Sequence, residues 1–511
     1  MKTSTIIVFI LTFVFLVYFS LPFFHKGFFP TMDDVQVVRI DQMLKELKSG
    51  QFPVRYIDNF GNQGGYMLFN YYSPLPYYVG AGYQALVQRP VKATKMVFLT
   101  GILIGTIGIF VLLKKYTSVI TSLLGVCLFL SSAYVGFDIY RRGALAEVWG
   151  MMFFPLILWA FLKVRDKPNL VNCAVAGTFY ALAILSHVAI TIIFSLFLFL
   201  ILFIPPVKKR IIMSFSLSAI IGLLLSAFFW LPLLMEEKYI VYRLSEYATK
   251  QYLVGFLPFH KLAGINIDLS NLHATLGLGL FVITAAGSLF LIYKKKYSHR
   301  DIFIYSVAVL MLTLVLILPQ TKFIWDAVPP LRYLQSPWRL LTISTVFAVF
   351  ISGLALSFIK KWWLQTITVS LILIYALILQ KDYMRPYAYN FIPEYKAEGV
   401  CATTTWEDEY LPKWVSECLP KELNKSKSYP IFSNSSVKVS NISVNKNGRL
   451  ISFKTRGKEG IIRIAKYYFP NWFVFVDGKK VSLYPSTKHG LITFNVPTGN
   501  HQVLVSMGST P

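Results

Sequence analysis

Residues 2–34, "KTSTIIVFILTFVFLVYFSLPFFHKGFFPTMDD", decide the fold class. Lys2 precedes an apolar run over 5–24, which matches the roughly 20 residues that a membrane helix needs. No small-residue cleavage site lies ahead of "LPFFHKG", so we expect a retained helix rather than a removed signal peptide. The stretch ends in the adjacent carboxylates Asp33 and Asp34. Their chemistry depends on the side of the membrane on which they lie.

The composition extends this reading to the whole chain. Of 511 residues, 55% are hydrophobic and 14% are charged, whereas soluble domains carry about 25% charged residues. We therefore expect an α-helical polytopic membrane protein. The net charge of +26 does not indicate nucleic acid, because many Lys and Arg residues sit in short clusters between apolar runs and no nucleic-acid-binding motif is visible.

Eleven stretches are apolar enough to be transmembrane helices. They are 5–24, 96–113, 117–136, 148–163, 170–187, 188–206, 211–234, 273–293, 302–319, 340–359 and 363–380. With Lys2 in the cytoplasm, a basic cluster follows each even-numbered stretch, as the positive-inside rule requires. These clusters are "LKKY", "KVRDK", "VKKR", "KKKYSHR" and the pair Lys360–Lys361. The N-terminus is therefore predicted to be cytoplasmic, and the segments 25–95, 137–147, 235–272, 320–339 and everything after 381 to be outside.

The last 80 residues change character. From about 430, short alternating runs are separated by Asn-Gly, Asp-Gly and Pro-Thr-Gly, which are hairpin signals. We expect an extracytoplasmic β-sandwich over 430–511, joined to a transmembrane domain (1–380) by a linker, 381–429. Cys401 and Cys418 share this linker and would form a disulfide if it faces an oxidising compartment.

The acidic pair has a structural and a chemical interpretation. Val37, Ile40, Leu44 and Leu47 recur at helical spacing and predict a helix over 35–48 on the membrane surface, with Glu46 among the residues on its polar face. Thr31 and Asp34 fit a capping box for that helix. In the chemical interpretation, one carboxylate accepts a proton from an attacking hydroxyl while the other binds a metal or orients the first. The two are compatible, because a cap would use Asp34 and leave Asp33 free.

Further candidate residues lie in the other predicted external segments. In "YRRGALAEVWG", Arg141 and Arg142 suit a phosphate group and Glu147 is an extra carboxylate, although a local salt bridge with Asp138 explains them equally. Arg332 and Arg339, in "PPLRYLQSPWRLL", suit either a donor phosphate or lipid headgroups. His187 ends the fifth apolar stretch, where it is either a packed histidine or part of a site. Tyr71 and Tyr72 would line a substrate groove or belong to an aromatic belt.

The chain resembles a known group of membrane enzymes. The motifs are "MDD", "GNQGGYMLFNYYSPLPYY", "YRRGALAE", "LSHVAIT", "SPWRLL", "EYLPKWV" and "YYFPNWFVFVDGKKV". The acidic pair after the first membrane helix resembles that of the type C (GT-C) glycosyltransferases. Within this superfamily, the chain is most similar to the bacterial YfhO-like membrane proteins, whose relatives carry the name "6-pyruvoyl-tetrahydropterin synthase-related". Pterin chemistry itself needs a soluble zinc site, usually with three His ligands, whereas the seven His residues here are scattered.

The resemblance implies an inverting glycosyltransferase of the bacterial plasma membrane. It would move a sugar from a polyprenyl-phosphate donor to a glycan or lipid acceptor. Asp33 would be the base, Asp34 and Glu147 would assist it or bind Mg²⁺ or Mn²⁺, and Arg141, Arg142, Arg332 and Arg339 would stabilise the phosphate. Two alternatives are a flippase for a lipid-linked sugar and a non-catalytic envelope assembly protein. The near absence of ionisable residues within the apolar stretches favours the enzyme over the flippase.

Overall fold

The computed structural model describes most of the chain. The described residues are 2–206, 208–241, 250–265, 273–294, 297–389, 401, 403–405, 408–420, 431–433, 436–445 and 448–508. Much of the predicted linker 381–429 and parts of the predicted external segment 235–272 lie outside these ranges.

The membrane domain is a bundle of apolar helices. Seven helices in the described residues have the length and composition of membrane spans: Thr3–Phe24, Pro90–Lys114, Leu145–Asp166, Lys209–Tyr239, Arg300–Ile317, Pro337–Leu356 and Trp362–Leu379. A bent pair, Val119–Leu130 with Ala133–Arg142, would make an eighth. Three shorter apolar helices are Leu170–Ser186, Val188–Phe203 and Leu278–Tyr293. Helices thus lie at all eleven predicted stretches, and the polytopic fold is confirmed. The count of eleven spans stays a prediction, because three of the helices are short.

The segment 137–147 differs from the turn that the sequence predicts. The third apolar stretch bends by 54° and continues through Ala133–Gly136 into a short π-helix, Phe137–Arg142. Gly143 ends this helix at φ +66°, and helix Leu145–Asp166 begins two residues later. The arginines and Glu147 are therefore on buried helical segments rather than in an open turn.

Close helix packing holds the start of helix Leu145–Asp166 in place. Gly101, Gly105 and Gly108 on helix Pro90–Lys114 face this helix. A Cβ at Gly101 would lie 3.1 Å from Trp149, and one at Gly108 would lie 3.1 Å from Pro155. Small residues let helix backbones approach closely in membrane proteins. This contact fixes the helix that carries Glu147.

The C-terminal region is a β-sandwich, as predicted. Its strands are β1 Ile431–Ser433, β2 Val437–Val444, β3 Leu450–Gly457, β4 Gly460–Tyr467, β5 Trp472–Val476, β6 Lys479–Val481, β7 Tyr484–Pro485, β8 Leu491–Val496 and β9 Gly499–Met507. They form two antiparallel sheets, ordered β1-β4-β8-β7 and β2-β3-β9-β5-β6. Alternating apolar residues, such as Ile451, Phe453, Val503 and Val505, fill the core.

The sandwich is packed on the loop that follows the first membrane helix. Buried Lys466 donates to Asp58 at 2.6 Å and to the Gln63 carbonyl at 2.7 Å. The Tyr467 N–H donates to the Gly64 carbonyl at 2.7 Å. Separating the β-sandwich from the loop would break the buried ion pair between Lys466 and Asp58, which is strongly destabilising. The β-sandwich and the loop 50–71 therefore form one packed unit.

Helix Gln36–Lys48 also belongs to this unit. Val37 and Ile40 are buried as predicted, but Glu46, which the sequence places on the polar face, is 3% exposed. Its carboxylate accepts from the Asp58 N–H at 3.2 Å and from Gln51 at 3.0 Å. The prediction of an exposed polar face is therefore wrong for Glu46, which protein covers, whereas Lys45 and Lys48 on that face are exposed.

Candidate active site

The Asp33 backbone is held by the segment that follows the π-helix. Its N–H donates to the Arg142 carbonyl at 2.7 Å. The Gln36 side chain donates to the Asp33 carbonyl at 3.1 Å and to the Gly143 carbonyl at 3.0 Å. Gly143 has a positive φ, and a Cβ there would collide with Thr31. Only glycine allows the two segments to approach so closely. The two candidate motifs, "TMDD" and "YRRG", are therefore in direct contact.

Gln36 is itself oriented from the far side. The Oε1 of its side-chain amide accepts from the Tyr77 hydroxyl at 2.7 Å, and Arg39 donates to the same hydroxyl at 3.3 Å. Arg39 also donates to the Thr404 side chain and carbonyl. All of these groups are buried. A hydrogen-bonded chain thus runs from the segment around residue 404 to the backbone of Asp33.

A buried cluster of charges lies beside Asp33. Arg142 forms ion pairs with Asp138 and, at 2.8 Å, with Glu147. Arg339 approaches the same Glu147 oxygen at 3.4 Å, and the Tyr134 hydroxyl donates to the other at 2.7 Å. Asp33 lies within electrostatic reach of Arg142 and Asp138. Five ionisable residues from three separate parts of the sequence therefore meet at one place.

Trp338 forms one wall of the cluster. The Arg142 guanidinium lies 4.6 Å from the centre of its ring, and the Arg339 guanidinium lies 5.9 Å from it. Both distances are within the range of a cation–π contact. The half-buried indole thus contacts both guanidinium groups on one side of the cluster.

His187 lies at the edge of this cluster. It is within electrostatic reach of Glu147. His187 also lies between two helices, and its own backbone is extended there. Its Nδ1 accepts from the Ile190 N–H at 3.4 Å. The histidine therefore has a structural task as a helix N-cap in addition to its position beside the carboxylate.

Several buried polar atoms near Asp33 have no hydrogen-bond partner among the described residues. They are Asp138 Oδ2, Arg141 Nη1 and Thr31 Oγ1. Asp138 is 0% exposed and Arg141 is 3% exposed. Buried polar atoms in proteins are nearly always hydrogen-bonded, so such atoms commonly mark a functional site. Together they point to the region around "TMDD" and "YRRG".

The predicted capping box does not form. The helix begins at Gln36, and its N-cap is Val35, whose side chain makes no capping hydrogen bond. The prediction of a capping box from Thr31 and Asp34 is therefore wrong. The cause is that the helix begins five residues after Thr31, beyond a turn over residues 32–35, so Thr31 is not at the N-cap position and Asp34 is not at N3.

Three other predicted residues lie in different surroundings. Arg332 donates to the carbonyls of Trp325 at 3.0 Å and Asp326 at 2.6 Å, in its own segment. Tyr71 is buried, donates to the Glu236 carbonyl at 3.1 Å, and belongs to the core of the β-sandwich contact. The Tyr72 ring lies 4.3 Å from the Arg39 guanidinium. The structure brings Asp33, Arg142, Glu147 and Arg339 together, but it gives Arg332 and Tyr71 other partners.

Reasoning from sequence missed Gln36, Tyr134 and Trp338. Tyr134 lies in a helix segment that resembles ordinary apolar sequence, and Trp338, although it precedes Arg339 in "SPWRLL", has no charge that would indicate a site. Gln36 falls on a predicted surface helix, where an amide carries no signal. The sequence predicts Asp138 only as a salt-bridge partner. Its position four residues before Arg142 is the signal that indicates its place in the cluster.

The described residues contain one compact group of three metal-ligand types, Cys401, Asp408 and Cys418. The two cysteines are joined in a disulfide, with Cα atoms 5.1 Å apart, so they do not offer thiolates. The predicted disulfide is confirmed. Glu147 already contacts Arg142, Arg339 and Tyr134, so its oxygens do not suit a metal ion. Among the described residues, no group of three histidines that would suit a pterin-type zinc site is present.

A large part of the sequence matches a known protein family. Residues 69–384 match the family described as "6-pyruvoyl-tetrahydropterin synthase related domain; membrane protein". The chain belongs to this family. The predicted membership is confirmed, and its members are membrane proteins, as the helices here indicate. No curated protein matches the chain in sequence.

Solved structures of other membrane proteins are similar to this chain. The arabinofuranosyltransferase AftD from Mycobacteria is similar over 75% of this chain, with a TM-score of 0.54 and 14% identity. The archaeal oligosaccharyltransferase AglB from Archaeoglobus fulgidus, solved with an inhibitory peptide and a dolichol-phosphate, covers 76% at a TM-score of 0.47 and 13% identity. ArnT from Cupriavidus metallidurans, bound to undecaprenyl phosphate, covers 76% at 0.47 and 12% identity.

These matches concern the fold. The match covers 28% of AftD, 57% of AglB and 66% of ArnT. The similarity to AftD confirms the predicted GT-C-like membrane fold of this chain.

Proposed function

We propose that the protein is an inverting glycosyltransferase. It moves a sugar from a polyprenyl-phosphate donor to a glycan or lipid acceptor at the outer face of the bacterial plasma membrane. The observation that carries this proposal is the half-buried Asp33, tied by its backbone to Arg142 and lying beside the cluster of Arg142, Glu147 and Arg339. A carboxylate next to arginines pairs a base with a site for an anionic leaving group.

Asp33 is the base in this mechanism. Its carboxylate accepts the proton of an acceptor hydroxyl, and the oxygen attacks the anomeric carbon opposite the phosphate. The bond from that carbon to the phosphate oxygen breaks, and its electron pair stays with the phosphate. One displacement of this kind inverts the anomeric configuration. Among the described residues, none forms a hydrogen bond or an ion pair with the Asp33 carboxylate, which suits a group that must meet a substrate.

The arginines would stabilise the phosphate that leaves. Arg339 has the longest contact in the cluster, 3.4 Å, and its side chain is 16% exposed. Arg141 has a buried Nη1 without a hydrogen-bond partner among the described residues. Guanidinium groups donate to phosphate oxygens in pairs, with charge-assisted hydrogen bonds. Two N–H groups of Arg332 already donate to the carbonyls of Trp325 and Asp326. Arg332 would therefore contact lipid headgroups rather than the donor phosphate.

No step is assigned to Mg²⁺ or Mn²⁺. The Glu147 oxygens face two arginines and a tyrosine hydroxyl, and such a donor set does not fit a hard cation, which prefers several free oxygen ligands. Asp34, next to the proposed base, would hold the loop that carries Asp33. In this proposal the transfer chemistry belongs to Asp33 and the arginines.

The two arginines of "PPLRYLQSPWRLL" provide a matched test. With a synthetic polyprenyl-phosphate sugar and an envelope lipid extract as acceptor, we expect the wild-type protein to release polyprenyl phosphate. Arg339→Gln should raise the donor KM by about tenfold or more, because a charged hydrogen bond contributes about 1.5–3 kcal/mol. Arg332→Gln should stay near wild type. Failure of the wild-type protein to bind polyprenyl phosphate or consume any donor would contradict the proposal.

A further inference from the structure

The outward face of the five-stranded sheet carries an unusual set of charges. β3 and β9 alternate between buried core residues and more exposed ones, as does the start of β2 before its bulge after Ser440, so the outward positions of these strands share one face. Its cations are Lys438, Lys454, Arg456 and, on β6, Lys480. We call this surface the basic sheet face. Among the described strand residues that point outward from this sheet, none is acidic.

The strand register places three of the cations together. Lys438 lies directly opposite Arg456 on the neighbouring strand, and Lys454 is two residues away on the same face. Like charges directly opposite each other in an antiparallel pair are destabilising. Asp477, at the rim of the β5–β6 turn, is already bonded to His501 at 2.6 Å and to the Gln502 N–H at 2.8 Å. Among the described strand residues of this face, no acidic side chain therefore offsets the repulsion between Lys438 and Arg456.

Neutral hydrogen-bonding groups continue from these cations. Asn500 lies opposite Arg456 and Gln502 lies opposite Lys454, and both are exposed. Further along, the Lys480 ammonium lies 4.3 Å from the centre of the Phe473 ring. Lys and Arg suit phosphate or carboxylate groups, while side-chain amides donate to and accept from hydroxyls. This combination fits a polymer that carries both anionic groups and hydroxyl groups.

A membrane surface is the alternative partner for this face. Membrane-binding faces present large apolar side chains that insert beside the headgroups. Two leucines, Leu450 and Leu504, are exposed here beyond the cations along β3 and β9. Phe473 and Phe475, however, are half-buried, and Lys480 covers the ring of Phe473. The cations therefore dominate this face, and a polyanion fits it better than a membrane.

We propose that the basic sheet face binds an anionic polysaccharide, a glycan that carries phosphate or carboxylate groups. The bound anions neutralise Lys438, Lys454 and Arg456, which repel each other in the free protein. This surface would hold a polymer on the β-sandwich, and its binding does not depend on the transfer reaction proposed for Asp33.

Two triple variants of the full-length protein in detergent test this inference. The first, Lys438→Gln/Lys454→Gln/Arg456→Gln, neutralises the basic sheet face. The second, Lys413→Gln/Arg463→Gln/Lys488→Gln, removes the same net charge from exposed positions outside that face. Binding to fluorescent dextran sulfate, a polyanionic glycan, is compared with binding to uncharged dextran. We expect the first variant to lose at least tenfold in affinity, the second to lose less than threefold, and dextran not to bind.

Equal losses in the two variants would overturn the inference, since the net charge alone would then explain binding. Binding of uncharged dextran as tight as that of dextran sulfate would also overturn it. Vesicles of phosphatidylglycerol that compete as well as dextran sulfate, at equal charge, would assign the face to a membrane instead.

A single substitution adds a readout that a purely structural role would not give. Arg456→Glu places opposite charges across β2 and β3, so the melting temperature should rise while the affinity for dextran sulfate falls. A fall in both would contradict the account of repelling cations.

Discussion

Glu46 is an acidic residue buried between the first external loop and the β-sandwich. Burial, opposed by the hydrogen bond from the Asp58 N–H, raises the pKa of its carboxyl group to about 7. The charged groups that face it are Asp58, Arg449 and Lys466. Burial also lowers the pKa of Lys466, which pairs with Asp58. The packing of the sandwich on the loop should therefore depend on pH through Glu46.

The sign of this dependence follows from the pKa values. The pKa of Glu46 is higher in the folded protein than its ordinary value of 4.5, so the folded state binds the proton more tightly. Its stabilising contribution is complete below pH 4.5 and is lost as the pH rises through 7. We expect the opening free energy of the Tyr467 N–H, which donates to Gly64, to fall by about 3 kcal/mol over this range. Hydrogen exchange of the Tyr467 amide, followed as a function of pH, measures this opening free energy.

Glu46→Gln is the control for this prediction. The amide keeps the size and the hydrogen-bonding capacity of the side chain but does not titrate in this range. The pH dependence of Tyr467 exchange should largely disappear in this variant. The same slope in both proteins would show that another group is responsible.

At the scale of single residues, the sequence identified charged groups but not their partners. Asp33, Arg142, Glu147 and Arg339 were predicted from their types and from the predicted sides of the membrane. Gln36 and Trp338 were not, because their roles arise from contacts with residues about 100 or 200 positions away. The spacing of Thr31 and Asp34 predicts a cap, but the helix begins only at Gln36, after a turn over 32–35 that no local pattern indicates.

At the scale of elements, the disulfide holds a segment that contacts the candidate site. Cys401 and Cys418 enclose Thr404, which accepts hydrogen bonds from Arg39, and Thr405, whose hydroxyl lies 2.8 Å from that of Tyr66. Arg39 in turn reaches the Gln36 side chain through Tyr77. The segment is thus part of the support of the Asp33 loop, rather than only a tether.

Removing the disulfide should loosen this support. Cys401→Ser/Cys418→Ser should lower the free energy of unfolding by about 3 kcal/mol, because the bond closes a short loop in the unfolded chain. Cys173→Ala, which changes a buried thiol elsewhere, should cost about 1 kcal/mol or less. Denaturant unfolding measures both. Alkylation of the unreduced, denatured wild-type protein should modify two thiols; modification of four would contradict the disulfide.

Elements were predicted well where periodicity or apolar length is strong. The β-strands follow alternating runs with hairpin turns, and the helices follow the apolar stretches. The segment 137–147 was misread because its charges resemble those of a loop, whereas ion pairs such as Arg142–Glu147 allow it to be helical and buried. The docking of the sandwich on residues 50–71 depends on tertiary pairs such as Lys466–Asp58, which no local pattern encodes.

At the scale of the whole molecule, the account requires a fixed orientation in the membrane. The basic clusters predict that the turn around Ser298 is cytoplasmic and that the β-sandwich is outside. Ser298 and Ser443 are both exposed, while the native cysteines are buried or in the disulfide. A membrane-impermeant maleimide applied to intact cells should label Ser443→Cys and not Ser298→Cys. The reverse pattern would place Asp33 in the cytoplasm and contradict the proposed donor.

The central claim is that Asp33 is the base of a sugar transfer. Asp33→Asn keeps the size of the side chain but cannot accept the proton of an acceptor hydroxyl. Asp34→Asn makes the same replacement at the neighbouring residue and should lose less than tenfold. A severe loss in Asp34→Asn that added Mg²⁺ partly restores would instead identify Asp34 as a metal ligand.

The most direct measurement is the rate of sugar transfer from a synthetic polyprenyl-phosphate donor by folded variants at matched levels. The account predicts a loss of about 10²–10⁴-fold in Asp33→Asn, as is typical when a general base is removed. A wild-type rate in Asp33→Asn would contradict it.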